Sequence, residues 1–272
     1  MPNNRKRTSS PNILFVAAVE FELRAFARYL QIDTSTNKVA HGSGDNGSVA
    51  LLAAGMGRGG DKTFSDAIHN LQPKAVINVG IAGALDQKHP AGSTWAIEEW
   101  RDPRHPHAPT AHADAALLEK VVGALENANI PCKKAIAVTV DEPLHDVNIR
   151  DRIRSGTGAH LVEMEGAVWA IIAAEHRVPF AAVRVISDHA DRPLPGPNPK
   201  AARRSWLARD DITTRKSRLS LALVASAAWL KPRRQLGELK GEGDEFRKAV
   251  DALDNVAHAL LPNPELTGAA HR

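Results

Sequence analysis

Apolar residues recur along this chain with two spacings, which predict strands alternating with helices. The runs Ile13–Ala18 and Val49–Ala53 are short, continuous and rich in strand-forming residues. Between them, Leu23, Phe26 and Leu30 fall on one helical face. The chain is therefore expected to begin as a strand, a turn and a helix, with a second strand after them.

The same alternation continues through the first two thirds of the chain and indicates the fold class. Further strands are expected at Ala75–Val79, Lys134–Val140 and Phe180–Ser187, with amphipathic helices between them. Several of these strands are apolar on both faces, as in sheets that helices cover on both sides. We predict an α/β protein, a three-layer α/β/α sandwich with a central mixed, mostly parallel sheet.

Composition supports one globular domain and excludes several function classes. With 272 residues and 43% apolar side chains, the chain buries a sizeable core, which we assign to residues 12–262, leaving tails at 1–11 and 263–272. The net charge is +4, but no reading motif or aromatic-lined basic stripe predicts nucleic-acid binding. The single cysteine, Cys132, forms no internal disulfide and fits a reducing cytoplasm. No apolar run is long enough to predict stable membrane insertion.

Ionisable side chains and glycines follow the predicted strands at their carboxyl ends. In open α/β sheets, ligands bind in the crevice beyond those ends. The stretches concerned are Glu20–Glu22, Gly55–Gly60, Gly80–Gly83, Glu163–Glu165 and Asp188 to Asp191. This edge of the sheet is therefore expected to hold a polar, ionisable pocket.

Several of these features also have a simpler structural explanation. Glu22 opens a helix, where acids interact favourably with the helix dipole, and Asp188 is placed to cap the next segment. The glycine loop is not a Walker loop and lacks the acidic residue of the dinucleotide pattern, so Gly57 and Arg58 are only candidate phosphate contacts. The histidines of DPRHPHAPTAH match no standard zinc spacing, and no metal or cofactor is expected.

The stretch LVEMEGA, residues 161–167, is the sharpest candidate for a binding site. Glu163 and Glu165 flank Met164 immediately before an apolar helix. A flexible, apolar methionine is an unusual choice for a helix cap, but it can lie against the face of a sugar. A carboxylate beside it accepts hydrogen bonds from the hydroxyl groups of the sugar. We therefore favour a functional role for Glu165.

Taken together, these motifs resemble the nucleoside phosphorylase superfamily, the branch of purine nucleoside phosphorylases and 5'-methylthioadenosine/S-adenosylhomocysteine nucleosidases. The resemblance covers residues 12–192 and depends on five stretches in the family's order, AAVEFEL, AAGMGRGG, INVGIAGAL, LVEMEGA and PFAAVRVISDHAD. It implies an enzyme that cleaves the N-glycosidic bond of a small-molecule nucleoside. It also implies a homo-oligomer, at least a dimer.

The resemblance further implies a role for each matching residue. Glu22 matches the carboxylate that positions or activates the attacking water in the nucleosidases, and Glu165 matches the one that holds the ribose hydroxyls. Asp188 matches the acid that protonates N7 of the leaving purine. The remaining substrate-binding positions are matched by Ala82, Gly83, Met164 and Arg184.

Two departures from the family pattern favour hydrolysis over phosphorolysis. Asn78 stands where the purine nucleoside phosphorylases carry arginine, and Ile81 stands where both branches usually carry serine. We expect hydrolysis of an adenine-bearing nucleoside, with inorganic phosphate as a co-substrate only if the chain is a phosphorylase. Two alternatives stay open. One is phosphorolysis, or action on adenosyl-bearing lipids. The C-terminal part of the chain, with its apolar stripe Leu219–Leu230, resembles the hopanoid-associated branch of the family, which acts on such lipids. The other is nucleoside binding without turnover.

Overall fold

The computed structural model describes residues 10–32, 39–44, 47–105, 109–191 and 240–267. In these ranges the strands are β1 (Ile13–Ala17), β2 (Val39–Gly44), β3 (Gly47–Ala53), β4 (Ala75–Ala84), β5 (Thr94–Arg101), β6 (Pro109–His112), β7 (Cys132–Thr139), β8 (Leu161–Glu163) and β9 (Phe180–Asp188). The helices are α1 (Arg24–Tyr29), α2 (Arg58–Leu71), α3 (Ala115–Asn127), α4 (Val147–Thr157), α5 (Gly166–Glu175), α6 (Lys240–Leu260) and α7 (Pro264–Thr267), and a 3₁₀ turn at Glu20–Leu23 precedes α1.

The strands form one mixed sheet whose centre closes on itself. The order across the sheet is β2-β3-β1-β4-β8-β7-β5-β6, and β9 pairs with both β4 and β5. Strands β4, β8, β7, β5 and β9 therefore pair in a ring. β1 runs parallel to β3 and β4, and β4 runs parallel to β9. The carboxyl ends of these four strands consequently meet at one edge.

Helices cover both faces of the sheet, each over its own apolar core. On one face, Phe26 of α1, Val121 of α3 and Val256 of α6 are fully buried. On the other face, Phe64 of α2 stacks on Trp169 of α5 with ring centroids 5.1 Å apart. Burial of an aliphatic or phenyl side chain contributes about 1.5–3 kcal/mol. The predicted sandwich of helices on both sides of a mixed sheet is confirmed.

Strand β4 continues to Ala84, so the strand predicted to end at Val79 is longer than the sequence indicated. Glycines weaken a strand because they have no side chain to pack. Here Gly80 and Gly83 pair with Arg184 and Asp188 of β9, and a register shift immediately before Gly83 bends the strand. Pairing with β9 thus keeps β4 extended past its glycines, which lie at the edge where the strands end.

The folded domain also extends past the predicted boundary at residue 262. Leu266 of α7 is 5% exposed and belongs to the same core as α3. The tail predicted from residue 263 therefore begins too early, because a helix of four residues is too short to leave a periodic signal. The apolar stripe Leu219–Leu230 and most of the basic segment 197–245 lie outside the described residues. Within the described ranges, no helix is long and apolar enough to cross a membrane.

Candidate active site

Glu22 lies in the 3₁₀ turn after β1 and is held by two backbone amides. Its Oε2 accepts a hydrogen bond from Val19 N at 3.1 Å, and its Oε1 accepts one from Ile81 N at 2.9 Å. The contact with Val19 caps the start of the turn, as expected for an acid at the start of a helix. The contact with Ile81 of β4 is not a capping contact. Burial raises the pKa of Glu22, although the Ile81 amide and the Arg184 guanidinium oppose the shift. A buried carboxyl group of this kind is suited to exchanging protons.

Glu165 directly precedes α5 and reaches across to the glycine loop. Its Oε1 accepts a hydrogen bond from Gly57 N at 2.7 Å. Gly57 has a φ of +53°, a backbone conformation that favours glycine. Burial raises the pKa of Glu165 to about 8, and the negative charges of Glu163 and Glu22 add to the shift. Gly55 N, in the same glycine loop, donates to Ala18 O at 2.9 Å, so the loop that Glu165 contacts lies against the chain just before Glu22.

Glu163, the other glutamate of LVEMEGA, is bonded to the protein itself. Its Oε2 accepts hydrogen bonds from Arg184 Nη2 at 2.8 Å and from Gly166 N at 2.6 Å, and its Oε1 accepts one from Thr139 Oγ1. The side chain is 1% exposed. Glu163 therefore organises the start of α5, while Glu165 is the glutamate that faces the glycine loop.

Arg184 of β9 connects Glu163 to Asn78 of β4. Its guanidinium donates to Glu163 and to the side-chain oxygen of Asn78, and the residue is 2% exposed. Asn78 in turn donates to Val16 O at 2.9 Å, which connects the network to β1. The hydrogen bonds of the Arg184 guanidinium go to Glu163, Asn78 and Val183. Its predicted contact with substrate stays a prediction.

Asp188 ends β9 and is 3% exposed. Its Oδ1 accepts a hydrogen bond from Ser187 Oγ at 2.6 Å, and its Oδ2 accepts one from Arg150 Nη2 at 2.6 Å. Arg150 was missed in the sequence. Arg150 lies on the buried face of α4 together with Ile153 and Thr157. This position could have identified it, because a buried arginine needs a buried partner for its charge.

Separate contacts bring the three predicted carboxylates to one edge of the sheet. Glu22 accepts from the amide of Ile81, Asp188 pairs in register with Gly83, and Glu165 accepts from the amide of Gly57 just beyond the end of β3. They come from three separate stretches of the sequence. In sheets of this kind, ligands bind at this edge, so we take it as the candidate acidic cleft.

The remaining candidates divide between this cleft and other places. Ala82 is 4% exposed, and its carbonyl oxygen lies 3.2 Å from Ser187 Oγ, whose shorter contact is with Asp188. The half-buried Met164 has its methyl group 3.9 Å from the point where a Cβ on Gly57 would lie. His105 precedes β6 and His112 ends it, and both are exposed, whereas His107 lies outside the described residues. The described residues contain no group of three potential metal ligands.

Replacing Glu165 by Gln is expected to stabilise the protein increasingly as the pH rises. Native Glu165 keeps its proton up to about pH 8, whereas the unfolded chain loses it near the usual glutamate pKa of 4.5, so the stability of the wild type falls between these pH values. The loss is on the order of 1 kcal/mol per pH unit at most. Tm measured by circular dichroism across this window tests the prediction.

The control for this experiment is Glu175→Gln, at the exposed far end of α5. This variant is expected to follow the wild type at every pH. A Tm difference between Glu165→Gln and the wild type that stays constant with pH would contradict the assigned burial of a titrating group.

Comparison with known proteins decides the family. The model of the phosphorylase superfamily matches residues 12–224. The chain belongs to the phosphorylase superfamily. The 5'-methylthioadenosine/S-adenosylhomocysteine nucleosidase of Staphylococcus epidermidis is 28% identical over an alignment of 198 residues, and the match covers 65% of this chain and 86% of the relative. This confirms the predicted family and the predicted class of enzyme, a nucleosidase or phosphorylase acting on N-glycosyl bonds.

Solved structures agree with the phosphorylase-superfamily fold. The nucleosidase of the same name from Helicobacter pylori, crystallised with butyl-thio-DADMe-Immucillin-A, has a TM-score of 0.65 at 16% identity and covers 92% of this chain and 96% of its own. The futalosine hydrolase of Helicobacter pylori has a TM-score of 0.59 at 19% identity, covering 66% and 89%. At these identities, the likeness concerns the fold.

In this phosphorylase-superfamily chain, the candidate phosphate contacts are only partly available. The Gly57 amide, at the start of α2, already donates to Glu165. Arg184 is bonded to Glu163 and Asn78. The side chain of Arg58 lies outside the described residues. A phosphate role for Gly57 and Arg58 stays a prediction, and the bond from Gly57 to Glu165 competes with it.

Proposed function

We propose that this chain hydrolyses the N-glycosidic bond of an adenine-bearing nucleoside. The observation that carries the proposal is that Glu22, Glu165 and Asp188 lie at one edge of the sheet, Glu22 and Asp188 beside the Ile81–Gly83 segment and Glu165 at the glycine loop. The relative from Staphylococcus epidermidis is named for substrates that carry adenine on a ribose. Substrates of that kind fit a site with carboxylates for both the sugar and the base.

The chemistry assigns one task to each carboxylate. Cleavage of the bond between C1' and N9 builds positive charge on the ribose ring, and hydrogen-bond acceptors placed around the ring stabilise that charge. Glu165 accepts hydrogen bonds from the ribose hydroxyls. Glu22 takes a proton from the attacking water as its oxygen bonds to C1'. Asp188 gives a proton to N7, so that the purine leaves as a neutral base that keeps the electrons of the broken bond.

Water is favoured over phosphate as the nucleophile by the bonds already made at the site. Phosphate would need donors and positive charge beside the ribose. The Gly57 amide and the Arg184 guanidinium are both engaged by glutamates of the protein. Ile81 offers its amide to Glu22 and has no hydroxyl group to offer to phosphate.

Adenine release tests the proposal. The purified chain is incubated with adenosine, 5'-methylthioadenosine and S-adenosylhomocysteine, with and without added phosphate, and free adenine is followed by chromatography. We expect release without phosphate and no increase when phosphate is added. Release that requires phosphate would establish phosphorolysis instead, and tight nucleoside binding without release would establish a binding protein.

Two further predictions belong to this proposal. A homo-oligomer is expected, and the exposed apolar side chains of Val168 and Ile171 on α5 offer one surface for it. Size-exclusion chromatography with light scattering measures the mass in solution. The cytoplasmic location is expected from the single cysteine and stays a prediction.

Gly80→Ala is expected to lower kcat for adenine release by about 10- to 100-fold, because a small misplacement of a catalytic group is costly. A Cβ at this position would lie 2.6 Å from Glu22 Oε1, so the carboxylate would have to move. The matched control is Gly123→Ala in α3, where a Cβ meets nothing within 4 Å. The control should keep full activity and gain about 0.5–1 kcal/mol of stability. Equal kcat values in the two variants would argue against the assigned position of Glu22.

A further inference from the structure

Arg150 is a buried arginine whose guanidinium lies against Asp188. Its Nη2 is 2.6 Å from Asp188 Oδ2, and both side chains are 5% exposed. Its Nη1 donates to Ala84 O at 3.0 Å and to His189 O at 3.3 Å, and its Nε donates to Leu144 O at 3.0 Å. One side chain of α4 thus joins the ends of β4 and β9 to the turn before its own helix.

The surroundings of this ion pair keep both partners in place. A side chain on Gly83 would put its Cβ 3.0 Å from Arg150 Nη2, so the glycine leaves room for the guanidinium. On the other side, Ser187 Oγ donates to Asp188 Oδ1 at 2.6 Å. The two carboxylate oxygens are therefore held from different directions, which defines the orientation of the group.

We propose that Arg150 is a positioning residue for the reaction and acts through Asp188. It orients the carboxyl group toward N7 of the purine. The ion pair in the structure corresponds to the state that Asp188 reaches once its proton has passed to N7, and the guanidinium stabilises the negative charge formed in that step. A fixed positive charge beside a developing negative charge is most effective where water is excluded. This inference depends on the proposed function, because it takes Asp188 as the group that meets the base.

The geometry requires a guanidinium and not only a positive charge. The planar fork of Arg150 donates to one carboxylate and three carbonyl oxygens at the same time. A lysine ammonium is a compact point charge on a flexible chain and does not reproduce this fork. Arg150→Lys is therefore expected to keep the charge and lose most of the orientation.

The test compares Arg150→Ala, Arg150→Lys and the control Arg152→Ala, an exposed arginine of the same helix. The substrate is the nucleoside that the wild type cleaves fastest. Arg150→Ala should lower kcat about 10²-fold and leave KM within about threefold, because the lost interaction stabilises the transition state and does not contribute to substrate binding. Guanidinium chloride, well below denaturing concentrations, should restore part of kcat in this variant alone. When Asp188→Asn is already present, adding Arg150→Ala should lower kcat little further, because Arg150 acts through Asp188.

Several outcomes would overturn the inference. One is a folded Arg150→Ala or Arg150→Lys variant with the kcat of the wild type. Another is a pair of independent, multiplying losses in the double variant with no guanidinium rescue, which would make Arg150 a merely structural residue. If circular dichroism shows that Arg150→Ala does not fold, Arg150→Lys carries the test. A wild type that releases no adenine would instead count against the proposed function.

Discussion

Asp188→Asn is expected to lower kcat for adenine release by about 10²–10⁴-fold, the range typical for loss of a general acid. Asparagine keeps the size of the side chain but has no carboxyl proton to give to N7. The substitution also leaves the buried guanidinium of Arg150 without its charged partner. Breaking a buried ion pair in this way costs about 3–5 kcal/mol of stability. Steady-state kinetics and chemical denaturation measure the two effects separately.

Asp191→Asn is the matched control, because Asp191 lies three residues further along the chain and is exposed. It should leave both kcat and the unfolding free energy close to those of the wild type. An Asp188→Asn variant that is folded and as active as this control would remove Asp188 from the mechanism.

Glu22→Gln is expected to lower kcat by about 10²–10⁴-fold as well, because an amide cannot take the proton of the attacking water. Burial raises the pKa of Glu22 above the usual value of 4.5. The wild type should therefore lose activity as the pH falls through this raised pKa, because the protonated carboxyl group no longer acts as a base. The acid limb of the pH–rate profile should disappear from the residual activity of Glu22→Gln.

Glu20→Gln provides the comparison for this variant, since Glu20 lies in the same 3₁₀ turn and is exposed. It should retain the rate and the acid limb of the wild type. If Glu20→Gln loses as much activity as Glu22→Gln, the effect comes from the turn as a whole and not from one proton acceptor.

The strand ends could be predicted from the sequence, and with them the neighbourhood of the site. β1 and β9 are short apolar runs with acids just beyond or at their ends, and parallel pairing brings those ends to one edge. Closure of the central strands into a ring was not predictable, because it depends on β9 pairing with two partners that are distant in sequence.

The roles of individual side chains were harder to predict, for reasons of geometry. Glu163 and Glu165 are two residues apart, so a strand pattern gives them the same direction. The start of α5 at Gly166 separates them, and only Glu165 reaches Gly57. The partner of Asp188 is Arg150, from a helix 38 residues earlier in the chain, which no local pattern connects to β9.

A crystal structure of the chain with adenine is the most direct test of the claim that three carboxylates form one nucleoside site. We expect the base beside the Ile81–Gly83 segment, with N7 about 2.6–3.2 Å from a carboxylate oxygen of Asp188. Glu22 and Glu165 should face the side of the base on which the ribose would lie. Adenine bound elsewhere, or bound in the cleft with N7 away from Asp188, would contradict the proposed site.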